Sequence, residues 1–82
     1  MASESQIKSE IESIVKHYPF WTIGITEDPD RRKQEHDNPV IWHQWDAVLE
    51  SSARSIEKYS IDKGMNGEIG GGTYPHYVYI FM

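Results

Sequence analysis

The 82-residue chain has no cysteine. This excludes a disulfide framework and any thiolate metal centre, staples on which small secreted domains usually depend, so an intracellular, cytoplasmic setting is expected. No apolar run approaches the roughly 18 residues of a membrane span. The first residues, Met1-Ala2-Ser3-Glu4-Ser5, lack the basic start and apolar stretch of a signal peptide. Positive charge is also scarce: 8 Lys and Arg stand against 13 Asp and Glu, a net charge of −5. Non-specific nucleic-acid binding runs on lysine and arginine neutralising phosphates, so the balance argues against a general nucleic-acid coat, and any phosphate contact has to be local. The one basic cluster, Arg31-Arg32-Lys33, is flanked by Asp28, Asp30, Glu35 and Asp37, and its plain reading is a solvated mixed-charge turn. His17, His36, His43 and His76 lack the paired spacing of a zinc site. The three glycines at 70 to 72 lack the lysine-serine or lysine-threonine pair that completes a phosphate loop.

What is present suffices for one small core. Hydrophobic residues make up 38% of the chain, with three Trp, five Tyr and two Phe among them. A domain of this length buries only about 60% of its unfolded surface, so stability is marginal. Ile7, Ile11, Ile14 and Val15 fall at helical spacing and predict an amphipathic helix over 3–18, opened by a Ser3/Gln6 capping box and stopped by Pro19. Phe20 to Thr26 is β-branched and aromatic and predicts a strand. Asp28 can cap a short helix from Pro29 to His36, which Asn38-Pro39 breaks. Val40 to Trp45 suggests a second strand, with helix as the alternative for so short a run. A second long helix is predicted over 49–63, with Leu49, Ala53, Ile56 and Ser60 on one face and Glu57 on an overlapping one, turned toward the core side. Gly64 to Gly67 stops it, a glycine link follows over 67–73, and Tyr74 to Met82 alternates as a final strand. There is no internal repeat. The expected fold is a single α+β domain over 1–82: a small three-stranded antiparallel sheet with helices packed on it, in the order α-β-α-β-α-β.

The segment from Thr22 to His36, Thr-Ile-Gly-Ile-Thr-Glu-Asp-Pro-Asp-Arg-Arg-Lys-Gln-Glu-His, resembles the second half of the signature of the GIY-YIG nuclease family. There a strand bearing Tyr-Ile-Gly leads to a helix with an essential arginine ten residues after the tyrosine and often a histidine four further on. Thr22 takes the tyrosine's place, and Arg32 and His36 stand at those spacings. Residues 39 to 45 and the helix around Glu57 resemble the third strand and the metal-binding glutamate helix that follow, and Asn66 resembles an asparagine often found after that helix. The likeness spans residues 20–67. The family's first strand, Gly-Ile-Tyr, is missing from its usual place, but Tyr77-Val78-Tyr79-Ile80-Phe81 reads like a form of it. The chain is therefore expected to be permuted, with the last strand beside residues 21–26 and Tyr79 in the first tyrosine's position.

The resemblance implies metal-dependent endonuclease chemistry on DNA or another nucleic acid. Phosphodiester hydrolysis draws on a hard cation, Mg2+ or Mn2+, held by a carboxylate and waters, here Glu57. Arg32 would offer planar donors to the phosphate, and Tyr79 or His36 would position or deprotonate the attacking water. Each residue has a plainer reading: Glu57 paired with Arg54 or Lys58, Arg32 solvated, His36 serving a helix dipole, Tyr79 packing. Two further functions stay open. One is a catalytically degenerate scaffold that binds nucleic acid or protein, favoured by the acidic charge and by Thr22. The other is a protein-interaction module using a Trp42/Trp45 surface.

Overall fold

The computed structural model describes residues 3–68 and 74–82. Over these residues the fold is α+β, with three α-helices and a four-stranded mixed sheet. Helix α1 is Glu4–Ile14, and the Ser3 side chain accepts from the Gln6 backbone as its N-cap. It ends short of the expected residue 18: Val15 turns to an extended conformation and drops into the core, and Tyr18–Phe20 form a 3-10 turn around Pro19. Proline is well suited to that first turn, so the residue read as a stop begins a new element.

Strand β1 is Thr22–Thr26, beginning two residues later than predicted because Phe20 belongs to the turn and points to solvent. Helix α2 is Pro29–Glu35, capped by the Asp28 carboxylate, which accepts from the Arg31 N–H at 3.1 Å. Asp37 and Asn38 then take positive φ, a conformation these two residue types tolerate well. Strand β2 is Trp42–Asp46, since Val40 and Ile41 lie outside it and are exposed. Helix α3 is Glu50–Asp62; Ala53, Ile56 and Ser60 are buried, while the expected core residue Leu49 stays exposed as its cap. Gly64, at φ 118°, supplies the left-handed residue that ends the helix.

The predicted three-stranded antiparallel sheet gains a fourth strand. Strand β3, Asn66–Gly67, pairs parallel with β1, and β4, Tyr77–Phe81, pairs antiparallel with both β1 and β2, giving the order β2-β4-β1-β3. Two residues of backbone pairing leave no periodic pattern, but here the pairing is reinforced: the Asn66 and Glu68 N–H groups donate to Trp21 and Ile23 carbonyls, and the Asn66 amide donates to the Pro19 and Trp21 carbonyls. Most of the predicted glycine link, residues 69–73, lies outside the described residues.

One face of the sheet carries Ile23, Ile25, Val78 and Ile80, and with Ile7, Ile11, Ala53 and Ile56 of α1 and α3 it makes the core. Polar bonds lace the two helices: Glu4 accepts from Lys8 and Ser55, and Glu12 accepts from Tyr59 and Lys63. The opposite face carries Tyr79, Phe81 and Trp42, beside α2. Trp42 and Trp45 do not form a common surface. Three residues apart along a strand they point to opposite faces: Trp45 packs on the core and donates to Glu10, while Trp42 lies on Tyr79. Among the described residues no helix is long and apolar enough to cross a membrane.

Candidate active site

The second face of the sheet is built around Tyr79. In the antiparallel register Tyr79 opposes Gly24, and its ring leans across β1 over that glycine. A Cβ at position 24 would meet the ring's Cε2 at 2.9 Å and its Cζ and Oη closer still, so only glycine leaves the ring its place. On its other side the ring is covered by Trp42, stacked at 4.7 Å between centroids and 7° between planes. Tyr79 is consequently 0% exposed. The plainer reading of Tyr79 as a packing aromatic is true of its ring and incomplete for its hydroxyl.

That hydroxyl accepts from Arg32 Nη2 at 3.3 Å, joining residues 47 positions apart. Arg32 is therefore not the solvated residue of its plainer reading: its side chain is 20% exposed and extends from α2 over the sheet. Nη1 donates to Glu35 at 2.9 Å and Nη2 also to Glu68 at 3.1 Å, while Nε is buried without a hydrogen-bond partner among the described residues. Burial works against the guanidinium's charge, but the phenol of Tyr79 and the carboxylates of Glu35 and Glu68 more than offset it, and Arg32 holds its proton more tightly than usual.

His36 is the C-cap of α2, its backbone N–H reaching the Arg32 carbonyl. Its ring does more. It lies 4.5 Å from the Phe81 ring and 6.2 Å from the Tyr79 ring, and Nε2, buried without a hydrogen bond, stands 3.4 Å from Glu68 Oε1. Arg32, His36 and Tyr79, predicted from spacing and resemblance, are thus brought together. Glu68 joins them without having been predicted. It stands between Gly67 and Ile69, just past a helix stop, a context that carries no signal for a part-buried ion pair.

Glu57 stands apart. Arg54, its proposed partner, pairs with Glu50 at 2.7 Å, and no described residue donates to Glu57. Partial burial raises the Glu57 carboxyl above its ordinary value, and Arg54 only partly opposes this. Its charge still reaches the site. Burial raises the Tyr79 phenol; Arg32 lowers it, while Glu68 and then Glu57 raise it further, and the net shift is upward. No group of three or more His, Asp or Glu side chains suited to a metal occurs among the described residues. A lone, poorly compensated, half-buried carboxylate nevertheless fits a hard cation that takes one protein ligand and keeps its waters.

As chemistry, the arrangement offers a fixed guanidinium, an imidazole with an unspent nitrogen and a protonated phenol, all against an aromatic floor. Such a set can hold an anion and pass a proton. No family model matches the chain, and no curated protein or solved structure is similar enough to it to match.

Proposed function

We propose that the chain is a metal-dependent endonuclease-like domain of GIY-YIG type, circularly permuted so that its last strand supplies the first tyrosine. The observation that carries this reading is the contact between Tyr79 and Arg32: a phenol from the C-terminal strand reaches an arginine chosen for its distance from Thr22, at 3.3 Å. Packing alone requires Tyr79 to be aromatic, not to present its oxygen to that arginine. The pairing of β4 with β1 supports the same reading.

In this reading Arg32 donates to a phosphodiester oxygen and opposes the charge that grows there in the transition state. Tyr79 Oη, fixed by Trp42 and Gly24 and fully buried beneath Arg32, would position the attacking water once substrate draws Arg32 away from it, and its raised affinity for a proton keeps it a hydrogen-bond donor at neutral pH. His36 takes or returns a proton at Nε2. Glu57 would hold Mg2+ or Mn2+, which when bound supplies a Lewis acid for the phosphoryl group and a positive charge that eases loss of the water's proton.

Thr22 and the acidic residues around Arg32 favour a second reading, a catalytically degenerate scaffold that keeps the site for binding nucleic acid or a protein. Plasmid nicking at low salt separates the two, with and without Mg2+ or Mn2+, beside Arg32→Ala and Glu57→Ala. Metal-dependent nicking lost in both variants supports the nuclease. A folded wild-type protein that does not nick at high concentration supports the scaffold.

A further inference from the structure

Two buried nitrogens in the site have no hydrogen-bond partner among the described residues, Arg32 Nε and His36 Nε2. Both belong to side chains that face one carboxylate oxygen: Glu68 Oε1 is 3.1 Å from Arg32 Nη2 and 3.4 Å from His36 Nε2. A single oxygen thus bonds the guanidinium and approaches the imidazole, and hydrogen-bonding capacity is left over beside it. Glu35 does not play this part. It lies three residues along α2, is 48% exposed and touches only Nη1 of Arg32.

A carboxylate oxygen and a phosphoryl oxygen present the same acceptor to a guanidinium, and both form charge-assisted bonds. We propose that Glu68 is an internal competitor for phosphate: its carboxylate occupies the position between Arg32 and His36 that a phosphodiester oxygen takes, and substrate binds by displacing it. The backbone of Glu68 is tied to β1 through its N–H on the Ile23 carbonyl, so release is a rotation of the side chain, which is itself 26% exposed and has solvent to turn into. The device selects. A ligand must bring compensating positive charge, as a cation-bound phosphodiester does, because Glu35, Glu57 and Glu68 leave the neighbourhood acidic. This inference rests on the reading that Arg32 and His36 receive a phosphate.

The test uses inorganic phosphate as the probe, without metal, and follows tryptophan fluorescence, which reports on Trp42 above the site. Glu68→Gln keeps the side chain's shape and removes its charge; Glu68→Ala is the second variant, and Asp62→Asn removes an equal charge at the end of α3. Glu68→Gln is expected to bind phosphate about tenfold more tightly than wild type, as relief of a close like-charge contact implies, and the gain is expected to disappear when Arg32→Ala is added. Asp62→Asn is expected to stay within about twofold, since a solvent-exposed charge is largely screened. Unchanged affinity in folded Glu68→Gln and Glu68→Ala, an equal gain in Asp62→Asn, or failure of both Glu68 variants to fold would overturn the proposal. Nicking assays run in parallel keep the two ideas apart. Tighter phosphate binding with no cleavage removes the nuclease and leaves the competitor; cleavage by wild type with no gain in phosphate affinity does the reverse.

Discussion

Gly24→Ala isolates the geometry on which the site depends. Replacing glycine by alanine inside a strand normally stabilises it by about 0.5–1 kcal/mol, because the unfolded chain has less freedom to lose. Here the added methyl would sit 2.9 Å from Cε2 of Tyr79 and closer to Cζ and Oη. The ring has little room to retreat: Trp42 covers it at 4.7 Å, it is 0% exposed, and Arg32 holds its oxygen at 3.3 Å. Forcing it aside costs about 1–3 kcal/mol in overpacking. The lost Arg32 bond adds about 1 kcal/mol. Against the small backbone gain, a net loss of about 1–3 kcal/mol is expected, read as a fall in Tm of about 4–8 °C per kcal/mol for a domain of this size. Near-ultraviolet circular dichroism would report the broken Trp42–Tyr79 stack. In a Tyr79→Leu background no ring lies over position 24, and the same substitution is expected to be neutral or stabilising, a coupling above about 1 kcal/mol. A Gly24→Ala protein as stable as wild type, or effects that simply add in the double variant, would refute the placement of the ring.

Tyr79→Phe keeps the stack and removes only the oxygen; it is expected to lower stability by about 1 kcal/mol and to abolish any nicking, measured by thermal unfolding and gel assay together. Glu57→Gln is expected to raise Tm at neutral pH. Its carboxyl is raised in the folded state, so stability is lost as pH rises through that range, and the gain is expected to vanish below about pH 4, where both forms are neutral. Asp46 behaves in the opposite sense: the His76 hydrogen bond at 2.9 Å, with help from the Val48 N–H, holds it below its ordinary value. Its contribution is present above about pH 4 and is lost as pH falls through the depressed value, so Asp46→Asn is expected to flatten the acid limb of a stability curve. Val48 has φ 72°, a conformation that costs a residue with a Cβ about 1–2 kcal/mol, and Val48→Gly is expected to stabilise by about 0.5–1 kcal/mol in denaturant unfolding.

Side-chain periodicity and capping chemistry carried the elements that could be read in the sequence. The isoleucines of α1, the Asp28-Pro29 start of α2, Gly64 after α3 and the alternation of β4 each state a local preference that the packing does not overrule. Elements made by the backbone were invisible. Strand β3 is two residues held by main-chain bonds and the Asn66 amide, and Val15 leaves its helix to fill the core, which no helical pattern announces. In the site, Arg32, His36 and Tyr79 could be named because a resemblance supplied their spacing, and the antiparallel register of β4 on β1 then brings them within reach of one another. Gly24 and Trp42, which fix the Tyr79 ring, could be found only once that register placed them around it. Glu68 had no pattern to betray it.

Glu68 also bears on whether the cluster receives an anion at all. A protein that bound none here would be under no pressure to keep hydrogen-bonding capacity buried and unspent, because an unsatisfied buried polar group costs about 1–3 kcal/mol in a domain whose whole stability is a small multiple of that. Arg32 Nε and His36 Nε2 are such groups among the described residues, and one carboxylate oxygen of Glu68 lies near both side chains. Replacing both residues by apolar side chains of similar length would remove the penalty. Arg32→Met with His36→Phe removes that penalty but also the Arg32 bonds to Tyr79, Glu35 and Glu68, so it is expected to fold about as stably as wild type, the introduced phenyl ring joining the stack on Phe81, while losing all affinity for phosphate. If that double variant is instead less stable by several kcal/mol, the cluster is a structural ion-pair network, Glu68 is its ordinary partner, and the case for a phosphate site loses its physical basis.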